Sequence, residues 1–155
     1  MRLTDILQPD SVVVPLEAQD KQEAIFKLAD ALVASTNIKD SNSLQKAIWE
    51  RETTRTTGIG HGIAIPHGKS EGVDTLCMAI GLPTNPIDFN SIDGRPVDLI
   101  ILLASPVDQT GPHIQALAKI SRMLMNEDFR TTIKDATTGD QLYKLIAEYE
   151  ADAPV

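Results

Sequence analysis

Apolar residues recur with helical spacing in the first third of this 155-residue chain, with strand-like spacing in its middle, and with helical spacing again at its end. In the segment "DKQEAIFKLADALVAS", apolar residues lie three and four positions apart from Ala24 to Leu32, as on one face of an α-helix. Asp20 and Glu23 at its start resemble a capping box. We therefore predict a helix that begins after Asp20.

A second amphipathic segment, "IKDSNSLQKAIWERETT", follows directly. Ser41 or Ser43 is its candidate N-cap residue, because a side-chain oxygen in that position accepts a hydrogen bond from an unpaired backbone N–H group. The apolar face of this predicted helix consists of Leu44, Ala47 and Ile48. Arg51 is the next residue on that face, so its guanidinium either extends from a packed stem into water or points at an anion beside the core.

The middle of the chain has the patterns of β-strands. The segment "GIAIPH" alternates, which places Ile63, Ile65 and His67 on one side of a strand. The segments "TLCMAIGL" and "VDLIILLA" are continuous apolar runs, as expected for strands that are buried on both faces. A turn is predicted at Asp93-Gly94 between them, and the β-branched segment "SVVVPL" predicts one more strand near the N-terminus.

The last third of the chain predicts three helices. They correspond to the segments "GPHIQALAKISRMLMN", "EDFRTTIKDA" and "GDQLYKLIAEYE". Thr138 and Gln141 have the spacing of a capping box for the last of these helices. The predicted inner face of the first helix consists of His113, Leu117, Ile120, Ser121 and Leu124.

This order of elements predicts an α/β protein of a single domain, a three-layer α/β/α sandwich. The middle strands are too close in sequence for helical crossovers between all of them, so some pairs must be antiparallel and the sheet must be mixed. A chain of this length can bury a sufficient core without crosslinks. Cys77 is the one cysteine, and its apolar neighbours indicate a small core residue instead of a reactive thiol.

Charge and hydropathy argue against several classes of protein. The formal net charge is −8, which argues against a nucleic-acid-binding protein because such a protein needs a basic surface. The N-terminal residues lack the basic region and apolar run of a signal peptide, and no segment has the roughly 20 apolar residues of a membrane span. We therefore expect a cytoplasmic protein without membrane insertion.

The segment "TGIGHGIAIPHGK" is the strongest candidate for a functional site. Pro66 cannot donate a hydrogen bond to a neighbouring strand, so His67 is expected where a strand ends. The surrounding glycines leave backbone N–H groups that could bind an anion. The alternative is that these glycines only form turns and that His67 is an ordinary surface histidine.

His113 strengthens the case for an anion site. It follows Gly111-Pro112 at the start of a predicted helix and shares a face with Leu117, so its ring is expected to point at the sheet. A half-buried core histidine is the alternative interpretation. A neutral imidazole is a good nucleophile near pH 7, and two histidines with Arg51 near a helix N-terminus therefore suggest phosphoryl chemistry.

A metal site is a competing hypothesis, since His61, His67 and His113 could supply three nitrogen ligands. The spacing of His61 and His67 matches none of the standard zinc motifs, and no carboxylate lies beside them as a catalytic base. A serine hydrolase is disfavoured because no serine has the sequence context of a nucleophile elbow. We therefore predict no metal site.

Three segments carry a resemblance to a known family. They are "RETTRTTGIGHGIAIPHGK", "PIDFNSIDGRPVDLIILLASP" and "HIQALAKIS". Together they resemble the IIA component of the fructose/mannitol class of the phosphoenolpyruvate phosphotransferase system, and most closely its nitrogen-regulatory branch. The resemblance covers about residues 3–149. It implies one domain over residues 1–150, followed by a flexible tail at 151–155, and the three-layer α/β/α fold with a mixed sheet.

The resemblance also implies roles for individual residues. The family's phosphorylated histidine falls on His67, its second active-site histidine on His113, and its active-site arginine on Arg51. The position two residues before "IAIPH" is a glutamate in some sugar-type members and often asparagine in the regulatory branch. Here it is His61, to which we assign no role.

Activity and partners follow from the resemblance as expectations. The donor would be a phosphorylated histidine-containing phosphocarrier protein, and no cofactor is implied. In a regulatory member the phosphorylated and unphosphorylated states would control targets such as potassium-transport or sensor-kinase proteins. The alternative is a sugar-specific IIA component that passes the phosphoryl group to a fructose- or mannitol-type IIB protein during sugar uptake.

Overall fold

The computed structural model describes residues 2–36, 38 and 40–152. In this part of the chain, one mixed six-stranded sheet lies between two helical layers. This arrangement confirms the predicted α/β/α fold. No helix among the described residues combines the length and the apolar character needed to cross a membrane.

The elements follow one another in the predicted order, although there are more strands than predicted. A 3-10 helix at Leu3–Asp5 precedes the first strand. The strands are β1 (Leu7–Leu16), β2 (Gly58–Gly60), β3 (Ile63–Ala64), β4 (His67–Lys69), β5 (Cys77–Pro83) and β6 (Leu99–Ser105). The helices are α1 (Lys21–Ser35), α2 (Ser41–Thr54), α3 (Thr110–Leu124), α4 (Glu127–Lys134) and α5 (Gly139–Asp152).

The sheet has the strand order β1-β5-β6-β3-β2, and β4 pairs with β6 beyond the end of β3. The pairs β1·β5, β3·β6 and β4·β6 are parallel, whereas β2·β3 and β5·β6 are antiparallel. β6 is therefore paired along both of its edges. All seven of its residues are buried, which agrees with its continuous apolar sequence.

Alternation along β6 separates two cores. Leu99, Ile101 and Leu103 pack with α3, α4 and α5 on one face of the sheet. Ile100, Leu102 and Ala104 pack with α1 and α2 on the other. Each face of the strand thus contributes side chains to a separate helical layer.

The predicted start of α2 was wrong. Neither Ser41 nor Ser43 is the N-cap residue, because the side chain of Asp40 accepts the hydrogen bond from the backbone N–H of Ser43. A carboxylate in this position also interacts favourably with the helix dipole. The buried stripe of α2 consists of Leu44, Ile48 and Glu52, whereas Ala47 and Arg51 are half-buried at its side.

The predicted N-cap residues of α1 and α5 are confirmed, but the predicted capping boxes are not. Asp20 caps α1 by accepting from the N–H of Glu23, and Thr138 accepts from the N–H of Gln141 at α5. Neither pair forms a reciprocal capping box, since the side chains of Glu23 and Gln141 accept from the residues before the caps, Gln19 and Thr137.

The C-terminal helices differ from the prediction in two places. In α3, Ser121 is exposed and Met123 is buried in its place, because the inner face turns slightly relative to the predicted stripe. The helix α5 includes Ala151 and Asp152 of the expected tail. The rest of that tail, residues 153–155, lies outside the described residues.

The helix α2 lies very close to Gly68, in the strand that carries His67. A Cβ atom there would lie 3.0 Å from Cγ1, 3.1 Å from N and 3.2 Å from Cα of Ile48 in α2. Two of these atoms belong to the helix backbone, so α2 would have to move away from β4. Glycine at this position therefore allows α2 to pack directly on β4.

Gly68→Ala is expected to destabilise the protein by about 1–3 kcal/mol, because overpacking forces a backbone shift. Gly111→Ala is a suitable control, since no atom lies within 4 Å of the added Cβ in α3, and alanine favours a helix by about 0.5–1 kcal/mol. Urea unfolding of both variants measures the difference. A Gly68→Ala variant as stable as the parent protein would contradict this account of the α2–β4 contact.

Candidate active site

His67 lies at a break in the chain between two short strands. β3 ends at Ala64, and Ile65 and Pro66 separate it from β4. The carbonyl of Pro66 still accepts a hydrogen bond of 3.0 Å from the N–H of Leu103, so the chain stays beside β6 across the break. His67 is the first residue of β4, not the last of a strand as predicted, because pairing with β6 resumes there.

A single hydrogen bond sets the protonation of the His67 ring. Its Nδ1 atom lies 2.8 Å from the carbonyl oxygen of Ile65. A carbonyl oxygen can only accept a hydrogen bond, so the neutral ring carries its proton on Nδ1. Nε2 therefore presents an unprotonated lone pair, which is the atom available for nucleophilic attack.

The ring of His113 lies beside that of His67, with 5.5 Å between the ring centroids and an interplanar angle of 61°. His113 is in the first turn of α3 and only 4% exposed, so it points at the sheet as predicted. Its Nδ1 lies 2.7 Å from Oγ of Ser105, the last residue of β6. The structure thus brings together two histidines that are 46 positions apart in the sequence.

Both rings are neutral at pH 7. Burial, helped by the nearby positive charges of Arg51 and Lys69, lowers the pKa of His67 below 6.5, although the hydrogen bond to Ile65 and the charge of Glu52 act in the opposite direction. Burial, followed by the fields of His67 and Lys69, lowers the pKa of His113 to about 4. A neutral imidazole is the nucleophilic form, so the site is ready to react without a separate base.

Two cations accompany the histidine pair. Arg51 is in the last turn of α2, where its Nη1 donates a 2.8 Å hydrogen bond to the carbonyl of Arg55. Lys69 follows His67 at the next position on the same side of β4, and its Nζ donates a 2.9 Å hydrogen bond to Oγ1 of Thr110. We did not predict Lys69, but its spacing of two residues from His67 on a strand was a sufficient signal.

His61 and the glycines next to it lie at the other end of the sheet. Ile63 pairs with Leu99, whereas His67 pairs with Leu103, four residues further along β6. This difference corresponds to about 13 Å. The glycine loop therefore does not form an anion cradle at His67 as we had expected, and His61 cannot join His67 and His113 as ligands of one metal ion.

The conformation of the glycine loop has a structural cause. Gly60, His61 and Gly62 all have positive φ angles, of 99°, 58° and 77°. The backbone of His61 is held on both sides, because its N–H donates to Oδ2 of Asp93 at 3.1 Å and its carbonyl accepts from Nζ of Lys134 at 2.8 Å. The glycines permit the tight reversal between β2 and β3, since residues with side chains rarely adopt this region.

Comparisons of sequence and of structure with known proteins point to the same family. The sequence model of the family described as "Phosphoenolpyruvate-dependent sugar phosphotransferase system, EIIA 2" matches residues 5–149. The nitrogen regulatory protein of Bradyrhizobium diazoefficiens is 32% identical over 147 residues, with 95% of each chain covered. The crystal structure of nitrogen regulatory protein IIA-Ntr from Neisseria meningitidis superposes with a TM-score of 0.84 and 25% identity, covering 92% of this chain and 97% of that one.

A sugar-specific relative is similar over nearly the same part of this chain. The fructose-specific EIIABC component of Bacillus subtilis is 30% identical over 150 residues, which covers 97% of this chain and 24% of that protein. The chain thus spans about a quarter of the length of that relative. The resemblance drawn from the sequence is confirmed: the chain belongs to the EIIA 2 family of the phosphoenolpyruvate-dependent sugar phosphotransferase system.

Proposed function

We propose that this protein is a phosphoryl carrier in which Nε2 of His67 accepts a phosphoryl group from a phosphohistidine of a histidine-containing phosphocarrier protein. The observation that carries the proposal is the hydrogen bond between Nδ1 of His67 and the carbonyl of Ile65, because it leaves Nε2 unprotonated beside a second imidazole. Family membership supplies the class of reaction.

The transfer step balances without a further reactant. The lone pair on Nε2 of His67 forms a bond to phosphorus while the phosphorus–nitrogen bond to the donor's ring breaks. The electron pair of that bond returns to the donor nitrogen, and the donor ring leaves as a neutral imidazole that keeps the proton on its other nitrogen. The phosphorylated His67 ring keeps its proton on Nδ1 and becomes formally cationic, so no separate proton transfer is required.

The neighbouring side chains supply positioning and charge, which are the main requirements of phosphoryl transfer. When the hydroxyl of Ser105 donates to Nδ1 of His113, the proton of that ring is on Nε2, where it can donate to a phosphoryl oxygen. Arg51 and Lys69 place positive charge near the incoming dianion, as their effect on the pKa of His67 indicates. Both histidines are neutral at neutral pH, so neither repels the cationic side chains.

The proposed use of the phosphoryl group is regulatory. The nitrogen regulatory relative is matched along nearly the whole length of both chains. A phosphoryl group adds about −1.5 to −2 charges, which would offset most of the positive charge of Arg51 and Lys69. Ile114, which follows His113, is 59% exposed and offers an apolar contact next to this switch. We propose potassium-transport or sensor-kinase proteins as the regulated partners.

The second candidate is a sugar-specific IIA component that passes the phosphoryl group to a fructose- or mannitol-type IIB protein. The similarity to the fructose-specific protein of Bacillus subtilis supports it. Incubation of the phosphorylated protein with a purified fructose-type IIB domain separates the two functions. Rapid loss of the phosphoryl group to IIB at catalytic concentration would favour the sugar relay, whereas a long-lived phosphoprotein would favour regulation.

His67→Ala is expected to abolish phosphorylation by phosphoenolpyruvate, enzyme I and phosphocarrier, because the nucleophile is removed. His61→Ala is the matched control from the same segment, and it should accept one phosphoryl group as the parent protein does. Intact mass spectrometry after the reaction measures both. An acid-labile phosphoryl group on the His67→Ala variant would refute the assignment of the nucleophile.

His113→Gln is expected to slow phosphoryl acceptance about 10²-fold, as is typical when one preorganised donor to a transition-state oxygen is lost. Ser105→Ala keeps the ring but removes its hydroxyl partner, so a smaller decrease is expected. Rapid-quench measurements of the transfer rate test both variants, and a thermal melt checks their folding. A parental rate in a folded His113→Gln variant would remove His113 from the site.

Arg51→Gln is expected to slow phosphoryl transfer about 10-fold or more through the loss of positive charge, while the free energy of unfolding changes by no more than about 0.5 kcal/mol. Arg55→Gln, on the exposed residue after α2, is the control and should leave the rate unchanged. The opposite result for Arg51→Gln, a large fall in melting temperature with a normal rate, would show that Arg51 serves packing instead of charge.

A further inference from the structure

The carboxylate of Glu52 is fully buried, which is unusual for a charged side chain. Its side chain is 0% exposed and lies at the end of the buried stripe of α2. Oε2 accepts hydrogen bonds from the hydroxyl of Thr57 at 2.6 Å and from its backbone N–H at 3.1 Å. Burial of a carboxylate is costly unless such partners compensate it, so this group calls for an explanation beyond packing.

The contacts of Glu52 continue to the ring of His67. The backbone carbonyl of Thr57 accepts a 3.0 Å hydrogen bond from the N–H of Ile65. The carbonyl of Ile65 in turn accepts the 2.8 Å hydrogen bond from Nδ1 of His67. A continuous series of hydrogen-bonded residues thus runs from the carboxylate of Glu52, through Thr57 and Ile65, to the imidazole of His67. Thr57 directly precedes β2, and Ile65 directly follows β3.

A cation completes the series at its far end. Nζ of Lys21, the first residue of α1, lies 3.6 Å from Oε1 of Glu52 and donates a 3.1 Å hydrogen bond to the side chain of Asn90. Arg51 is the neighbour of Glu52 in sequence, but its guanidinium donates a hydrogen bond to the carbonyl of Arg55. Glu52 is therefore fixed by Thr57 and Lys21, and its negative charge lies on the side of α2 that faces the core.

We propose that Glu52 is a positioning residue for His67: through Thr57 and Ile65 it holds the imidazole with its proton on Nδ1, and its fixed negative charge stabilises the ring when phosphorylation makes that ring cationic. This inference rests on the proposed function of His67 as the phosphoryl acceptor. The known role of a buried aspartate behind a catalytic histidine, which fixes the tautomer and stabilises the imidazolium, is the chemical precedent.

The electrostatics of the ring agree with this role. The charged groups that act on His67 are Arg51 and Glu52 of α2 and Lys69 of β4. The titratable ring of His113 in α3 also faces it, with 5.5 Å between the ring centroids. Among the charged residues, Glu52 is the one that raises the pKa of His67, whereas Arg51 and Lys69 lower it. The positive charges of Arg51 and Lys69 would thus stabilise the phosphoryl group. The negative charge of Glu52 would stabilise the cationic ring that carries it.

Glu52→Gln tests the proposal, because glutamine keeps the size of the side chain and removes its charge. In the unphosphorylated protein, ¹⁵N-detected NMR of the histidine rings should show a lower pKa for His67 and an increased fraction of the tautomer with the proton on Nε2. Phosphoryl acceptance should be at least about 10-fold slower. Glu50→Gln, on the exposed side of the same helix, is the matched control and should change none of these quantities.

Lys21→Gln is expected to shift the pKa of His67 in the direction opposite to that of Glu52→Gln. Loss of this cation leaves the charge of Glu52 without its ion-pair partner, so the pKa of His67 should rise, whereas Glu52→Gln should lower it. A merely structural role for Glu52 would give shifts of the same direction in both variants, or none. Either of these results overturns the proposal, and so does a folded Glu52→Gln variant with the parental tautomer, pKa and transfer rate.

The Lys21→Gln variant also keeps the proposal testable if Glu52→Gln does not fold, since a pKa of His67 that is unchanged or lowered in Lys21→Gln overturns it alone. The two proposals fail separately. Absence of phosphorylation in the parent protein would refute the proposed function, whereas the NMR measurements on the unphosphorylated ring would still report on the link between Glu52 and His67.

Discussion

The pairing of β6 along both edges is the constraint on which the site depends. This strand is buried throughout, and its hydrogen bonds to β3 and β4 keep the segment around His67 beside it even where Pro66 interrupts the pairing. The same strand ends at Ser105, whose hydroxyl contacts the ring of His113. Both imidazoles are thus positioned from one rigid element at the centre of the sheet, and rigid support of this kind favours accurate geometry in a reactive site.

Charges of both signs lie near the histidine pair. The chain as a whole carries a formal net charge of −8, yet Arg51 and Lys69 both act on His67. A phosphoryl group would lie with its negative charge toward these cations. The ring that carries it would have the buried carboxylate of Glu52 behind it. In the proposed carrier, the helix α2 supplies one charge of each sign, from two consecutive residues that point to different sides.

The sequence predicted most of the fold and proposed His67, His113 and Arg51 for the site, and its errors have physical causes. Periodicity gave the helices, since a buried face must recur with the helical spacing. Periodicity could not show that Glu52, instead of Ala47 and Arg51, is buried on α2. Hydropathy excludes a carboxylate from the core, and its burial depends on the contacts with Thr57 and Lys21. The glycine loop was misplaced for a related reason: alternation tells which side a residue faces, but not which end of the sheet it reaches.

The sequence by itself determined the α/β layers, the side of the sheet that His67 faces together with Ile63 and Ile65, and the histidine at the start of α3, because these depend on local periodicity and on the backbone properties of proline and glycine. Only the tertiary structure decided that the two rings lie 5.5 Å apart, that Nδ1 of His67 is the protonated nitrogen and that His61 lies elsewhere. These features depend on the register of β3 and β4 against β6 and on a backbone carbonyl as a hydrogen-bond partner. Neither leaves a mark in the order of side chains, since every residue has the same carbonyl and register is set by long-range pairing.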